Sequence, residues 1–280
     1  MSARDAGISF PLFGDAVWNV PSAISIGGFS IYLYGIIVAL GFCLGWLYAH
    51  RRRRLFGLSP ENVMDLLLIG VAAGLIGARL FYVAFNPARY FGENGDWLNI
   101  FRIRDGGLAV YGGIIMVVAA LVLYTRRKKI KLAAMLDLAA PALMIGQFIG
   151  RWGNFTNREA YGYETAAPWR MGLHFPGETL YVHPAFLYES LWNVLGFVLL
   201  HIYSKRRKFD GEIFLMYIGW YGLGRFFIEG LRGDSLMLGS LRVSQLIAGA
   251  CVLVSIALLT VRYIKMRKSP VAVSDNGDDS

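Results

Sequence analysis

Apolar residues come in seven long runs, at about 30–49, 63–85, 107–124, 132–150, 186–203, 212–231 and 242–264, with short polar segments between them. Each is near the roughly 20 residues that a helix needs to cross the hydrocarbon core of a bilayer. The pattern therefore predicts an all-α integral membrane protein with seven transmembrane helices. The connecting segments alternate in kind. Arg51 to Arg54 follow the first run, Arg126, Arg127, Lys128, Lys129 and Lys131 the third, Lys205 to Lys208 the fifth, and Arg262, Lys265, Arg267 and Lys268 close the seventh. Basic loops stay in the cytoplasm, which places the N-terminus outside and the C-terminus in the cytoplasm. On the other side, the segment at about 151–185, with Gly, Pro and aromatic residues, predicts a small extracytoplasmic cap. The loop 86–106 predicts a short interfacial helix around Trp97 to Phe101. The first residues, MSARDAGISFPLFGDAV, lack a basic cap ahead of a short apolar core, so no cleaved signal peptide is expected. The polar, acidic stretch SPVAVSDNGDDS reads as a disordered cytoplasmic tail over 269–280.

Composition agrees with lipid as the main solvent. Hydrophobic residues make up 56% of the chain and charged residues 17%, and mean hydropathy is +0.47, leaving too few polar side chains to cover a soluble globule of this length. Cys43 and Cys251 both lie within apolar runs, which excludes a disulfide scaffold and a thiolate zinc site. The net charge of +9 does not point to nucleic acid, because seventeen of the 28 Lys and Arg sit in the four basic segments, where they set topology and meet anionic headgroups. The other eleven are all arginine. A guanidinium near an interface can snorkel, or bind phosphate bidentately without ever losing its charge; the count alone leaves both open.

An ionisable group at mid-membrane costs roughly 2.5–3.5 kcal/mol on insertion scales and requires a partner or a purpose. Arg79 ends the second run in GLIGARLFYVAF, behind Gly70, Gly74 and Ala78, whose four-residue spacing predicts a seam for close helix packing. It reads equally as an interface anchor or as a substrate-binding group. In the sixth run Tyr217, Tyr221, Arg225 and Glu229 step by four and share one helix face. The fourth run ends GQFIGRWGNFTNREAYG, where Arg151, Asn154, Asn157 and Glu159 arrive together among glycines. That is denser than helix capping requires. Glycine pairs flank Tyr111 at the start of the third run, and His183, Tyr188 and Glu189 open the fifth.

These blocks resemble a known family. GRWGNFTNREAYG (150–162) is similar to the signature of the bacterial prolipoprotein diacylglyceryl transferases. HPAFLYES (183–190), YGLGRFFIEGLRGDSL (221–236), GARLFYV (77–83), GGLAVYGG (106–113) and YGIIVALGF (34–42) resemble its other blocks in the same order, over about residues 20–250. The resemblance implies a multi-pass enzyme of the bacterial cytoplasmic (inner) membrane, its active site toward the extracytoplasmic side, with residues 1–268 as a single transmembrane catalytic domain. The implied reaction moves the diacylglyceryl group of phosphatidylglycerol to the lipobox cysteine thiol of a prolipoprotein signal peptide. It forms a thioether and releases glycerol 1-phosphate, the first step of bacterial lipoprotein maturation. No metal or organic cofactor is expected, and the partners are the two substrates and membrane lipids.

Carried over residue by residue, the resemblance assigns Arg151 to the lipid phosphate and Arg225 to charge developing on the leaving group or thiolate. Asn154 would donate to the headgroup, Glu159 would orient an arginine, and Gly162 would permit a tight turn. Tyr34, Tyr221 and Glu229 match polar positions of the family's cavity. One departure matters: some members carry histidine, proposed as the base, where this chain has Tyr111. A phenol with a pKa of about 10 is a poor base at neutral pH, which favours Tyr111 as a binding residue; either the arginines shift the thiol far enough, or His183, Glu159 or Glu229 takes the proton. Two other functions compete. A transporter or scramblase of anionic lipids would need a polar route to the cytoplasmic side, whereas the intramembrane polar residues gather at the outer ends apart from Asp65 and Asp137. A non-catalytic lipid-binding protein would not explain so many polar groups at one depth.

Overall fold

The computed structural model describes residues 6–14, 16–27, 29–92, 95–103, 106–233, 237–239 and 241–268. The expected disordered tail, 269–280, lies outside the described residues, as do Asp105 and residues 234–236 of the sequence blocks. Eight α-helices are present among them: α1 Leu33–Arg52, α2 Pro60–Phe85, α3 Pro87–Phe91, α4 Val110–Lys128, α5 Leu132–Asn157, α6 Ala185–Tyr203, α7 Glu212–Glu229 and α8 Val243–Lys268. Six helical segments are long and apolar enough to cross a membrane: Leu33–Phe56, Pro60–Phe85, Val110–Lys128, Leu132–Asn157, Ala185–Arg206 and Val243–Lys268. The seventh predicted crossing, α7, is a helix of 18 residues that carries Glu212, Arg225 and Glu229.

The chain divides into two compact units, Phe42–Leu143 and the remainder, Met1–Gly41 with Met144–Ser280. In the first, α2 and α4 run antiparallel, since Gly74 and Gly77 face Gly113 and Gly112 while Asn62 and Asp65 meet Tyr124 at the other end. Glycine makes this approach possible. A Cβ on Gly77 would lie 2.5 Å from the Gly112 carbonyl, and one on Gly113 would lie 3.0 Å from the Gly74 carbonyl. Of the predicted seam Gly74 and Ala78 face the neighbour, joined by Gly77, whereas Gly70 has nothing within 4 Å. Ser59 starts α2 with a capping box shared with Asn62, ahead of Pro60 in the first turn. The interfacial segment forms as a 3-10 helix, Trp97–Phe101, capped by Asp96.

In the second unit, α7 and α8 also run antiparallel. Ser255 donates to the Leu215 carbonyl at 2.7 Å and Gln245 to the Phe226 carbonyl at 2.9 Å, with Gly222 set against the Ala248 carbonyl between them. α6 joins α7 through stacked Trp192 and Trp220, 4.3 Å apart, each indole donating to the other's backbone carbonyl. Gly196 and Gly224 provide the room for those rings. Within the same unit α1 lies along α5, with Tyr34 on Gly153 and Gly41 on Gly146.

The all-α expectation needs correction here. A four-stranded antiparallel sheet, in the order β2-β1-β5-β6, is built from β1 Gly7–Ser9, β2 Val17–Trp18, β5 Met171–Phe175 and β6 Glu178–Val182. Two-stranded ribbons, β3 Ala23–Ile26 with β4 Phe29–Tyr32 and β7 Met237–Leu238 with β8 Leu241–Arg242, precede α1 and α8. The predicted cap at 151–185 is therefore partly helix, because α5 continues to Asn157, and partly sheet completed by the N-terminal residues. Pro176 and Gly177 (φ +84°) make the β5–β6 turn. Ile8, Met171, Leu173, Val182 and Phe186 form a buried apolar cluster under this sheet, flanked by Phe155 and Tyr161. Arg158 ties the two ends together: it is buried, donates to the Ala6 and Thr156 carbonyls, and turns the chain with φ +51°.

Candidate functional site

The C-terminal ends of α5 and α7 and the N-terminal end of α6 bring their charged side chains onto one carboxylate. Glu189, in the first turns of α6, is 3% exposed. Arg151 Nη2 from α5 lies 2.5 Å from its Oε2, and Arg225 Nη1 from α7 lies 2.9 Å from its Oε1. Arg232, just past α7, approaches the same Oε1 at 3.5 Å. Arg225 also pairs along its own helix, Nη2 to Glu229 Oε2 at 2.5 Å, the contact its four-residue spacing predicts. Arg151, Arg225 and Arg232 therefore surround two buried carboxylates, Glu189 and Glu229. Guanidinium groups fixed in this way are of the kind that can grip phosphate or carboxylate oxygens bidentately.

A relay of amides supports Arg151. Its Nη1 donates to Asn154 Oδ1 at 3.1 Å, Asn154 Nδ2 donates to Glu159 Oε1 at 2.9 Å, and Asn157 Nδ2 reaches the same oxygen at 3.3 Å. Glu159 thus orients the arginine through Asn154 rather than by touching it, and being exposed it balances the buried charge only weakly. Tyr34 packs its ring on Gly153, beside this relay. Tyr221 lies one turn before Arg225, its ring 6.0 Å from that of Tyr217.

Gly162 has a different reason from the one expected. The turn after α5 is made by Arg158 and Ala160, both with positive φ, whereas Gly162 is extended and bridges to Arg232. A Cβ there would lie 2.7 Å from His183 Cβ and 2.8 Å from the Leu231 carbonyl oxygen. Close approach, not a turn, requires glycine, and it seats the backbone beside Arg232. His183 pairs through Nδ1 with the Tyr188 hydroxyl at 3.1 Å, which also accepts from Trp169 Nε1 at 2.7 Å. The imidazole thus stands in its own small network, apart from the guanidinium groups.

Arg79 and Tyr111 belong to the other compact unit. Arg79 is buried, and its five N–H donors meet five backbone carbonyls, those of Asn99, Ile100, Arg102, Gly106 and Gly107, while Tyr90 offers its ring face at 5.6 Å. Of its two sequence readings this geometry favours the anchor. Gly106 and Gly107, with φ of +83° and +72°, wrap the chain around the guanidinium. Tyr111 follows in the first turn of α4, 44% exposed.

Sequence reasoning missed Glu189 as the hub, and Arg232 with it. Arg232 carried a usable signal, since Arg225, Glu229 and Arg232 continue the i, i+4, i+7 stripe. Glu189 carried little: a single acid at the start of an apolar run looks like an interface residue until its partners from three segments are in place.

The chain as a whole matches a known family. The family model described as prolipoprotein diacylglyceryl transferase matches residues 21–261. A protein of Bacillus cereus (strain G9842), named phosphatidylglycerol–prolipoprotein diacylglyceryl transferase, is 42% identical over 262 residues, covering 91% of this chain and 96% of its own length. Similar proteins bearing that name are found in Bacillus anthracis, 41% identical over the same shares of each chain, and in Bacillus cereus (strain B4264), 43% identical over 86% of this chain and 91% of its own.

Proposed function

The chain belongs to the prolipoprotein diacylglyceryl transferase family, and on that footing we propose that it transfers the diacylglyceryl group of phosphatidylglycerol to the lipobox cysteine of prolipoproteins. The cysteine sulfur attacks the glycerol carbon that bears the phosphate. A C–S bond forms, the C–O bond to phosphate breaks, and glycerol 1-phosphate leaves with the electron pair. The thiol proton passes to one of the acceptors named from the sequence, Glu159, Glu229 or His183.

The observation that carries this reading is the convergence of Arg151 and Arg225 on Glu189. Guanidinium groups gathered and aimed by a buried carboxylate suit a phosphodiester, which carries one negative charge. As the C–O bond breaks, more charge develops on the leaving phosphate, and fixed guanidinium groups in a water-poor site stabilise it without reorganising. The same field favours the thiolate over a thiol whose ordinary pKa is about 8.5. Arg151, held by Asn154 and Glu159, is assigned to the phosphate, and Arg225 to the developing charge. Tyr34 and Tyr221 line the approach beside them, Gly162 lets the chain pass close to Arg232, and Tyr111 is a binding residue rather than a base. Asp65 accepts from Tyr124 at 2.7 Å, and a carboxylate there would repel an anion on a route to the cytoplasm, which argues against the transporter alternative.

The alternation of basic segments supports seven crossings of the bacterial cytoplasmic membrane, with the N-terminus and the guanidinium cluster on the extracytoplasmic side. On this reading residues 1–268 act as one catalytic domain. Purified protein given phosphatidylglycerol and a lipobox peptide is expected to yield a peptide heavier by one diacylglyceryl group in mass spectrometry. Arg151→Ala and Arg225→Ala are expected to insert normally and yield none. Near-normal transfer by Arg151→Ala would remove the phosphate role.

A further inference from the structure

The polar faces of α5 and α7 meet a second time, one helical turn from Arg151 on α5 and two turns from Arg225 on α7. Gln147 precedes Arg151 by four residues and Tyr217 precedes Tyr221 by four, so both continue the stripes already described, about 6 Å further along each helix. There Gln147 Nε2 donates to the Tyr217 hydroxyl at 2.8 Å. The pairing is incomplete. Gln147 Oε1 is buried with no hydrogen-bond partner among the described residues. The Tyr217 oxygen, accepting from the amide, still has its own proton to donate.

Buried polar groups in native proteins are paired almost without exception. Asn157 Oδ1, Asn193 Oδ1 and the ion-paired Glu229 Oε2 of this unit also lack a hydrogen bond among the described residues, but Gln147 Oε1 has an open hydroxyl donor beside it. An acceptor and a donor left open side by side specify a ligand group that both donates and accepts. A hydroxyl does so; an ester carbonyl only accepts, and a hydrocarbon does neither. Both open groups are neutral, and the guanidinium of Arg151 belongs to the next turn of α5. A headgroup ammonium brought here would meet repulsion and no carboxylate, whereas an uncharged diol meets neither obstacle.

We infer that Gln147 and Tyr217 form the subsite that reads the polyol headgroup of the lipid substrate. One headgroup hydroxyl donates to Gln147 Oε1 and one accepts from the Tyr217 hydroxyl, while the arginines hold the phosphodiester. The two residues determine specificity for a neutral, hydroxylated headgroup over an alkyl or ammonium one. This rests on the transferase reading above.

The test compares phosphatidylglycerol with phosphatidylpropanol, the same lipid with both headgroup hydroxyls replaced by hydrogen, each presented to the full-length enzyme with a lipobox peptide. Wild type is expected to show kcat/KM about tenfold or more lower for phosphatidylpropanol, because the analogue leaves buried groups unpaired. In Gln147→Leu and in Tyr217→Phe that ratio is expected to fall toward one. A merely structural role would lower turnover of both lipids alike and keep the ratio, and that result overturns the inference. Should either variant not be recovered folded, wild type alone decides through lipids carrying one headgroup hydroxyl: a stepwise loss supports the subsite, and equal rates overturn it. Equal use of both lipids by wild type removes the subsite and leaves the transferase reading standing, whereas no adduct from phosphatidylglycerol itself defeats both.

Discussion

Glu189 cannot neutralise three guanidinium groups, and its value lies in fixing where they point. Each of Arg151, Arg225 and Arg232 reaches it from a different segment, and without a common acceptor their mutual repulsion would spread them. The neutral replacement Glu189→Gln keeps the shape and one acceptor oxygen but removes the charge. Breaking a buried ion pair costs about 3–5 kcal/mol, so this variant is expected to melt lower in detergent than wild type. Its kcat/KM with phosphatidylglycerol is expected to fall at least about 100-fold, the loss that follows when an electrostatic stabiliser is misplaced. Wild-type kinetics from purified Glu189→Gln would show that the arginines are held by something else.

The helices of this chain pack through glycines, and the structure separates those that matter from those that do not. A Cβ on Gly112 would press into Phe81 and lie 2.5 Å from the Gly77 carbonyl, whereas Gly70, in the same helix pair, has nothing within 4 Å. Gly112→Ala is therefore expected to destabilise by about 1–3 kcal/mol through overpacking. Gly70→Ala should be neutral or slightly stabilising, since alanine is the better helix former by up to about 1 kcal/mol. Thermal melts of the two variants in detergent check the opposite signs. The sequence could not make this distinction, because a four-residue glycine step names a face without saying which of its members is covered. What it did disclose are features set by local pattern: helical segments at all seven apolar runs, the short helix at Trp97–Phe101, the stripe from Tyr217 to Glu229, and the Arg151–Asn154–Glu159 grouping. What it hid depends on distant pairing. β1 and β2 are three and two residues long; β2 pairs with β1, which enters the sheet by pairing with β5 more than 150 residues away. Their alternation is too short to register as a strand pattern. Arg79 failed to announce its role for a related reason, since its partners are backbone carbonyls, which leave no trace in residue identity.

Whether α7 crosses the bilayer decides on which side the chain ends. Among the described residues six helical segments meet the length and apolarity of a span, and α7 falls short through Glu212, Arg225 and Glu229. Each of those charges is partnered. Glu212 accepts from Tyr203, Tyr263 and the Lys208 backbone at the basic end of the helix, and Arg225 and Glu229 pair near its other end. Between them Ile213 to Gly224 hold no charge. The antiparallel match to α8, from Leu215 beside Ser255 to Phe226 beside Gln245, sets α7 along a helix that itself qualifies as a span. The charge rule gives the same answer independently. If α6 runs inward to Lys205–Lys208 and α7 did not return, α8 would carry Arg262, Lys265, Arg267 and Lys268 to the outside, against the bias that retains basic residues in the cytoplasm. Seven crossings put the two termini on opposite sides, and six put them on the same side. A fluorescent protein fused after Lys268 is accordingly expected to fold and fluoresce in cells, and alkaline phosphatase at the same place to stay inactive. A cysteine placed at Thr179 in β6 should react with an impermeant maleimide added from outside, while one at Lys129 should react only after permeabilisation. Active phosphatase at the C-terminus would mean that α7 lies in the interface instead of across it, and would remove the topological argument for a guanidinium cluster at the outer face.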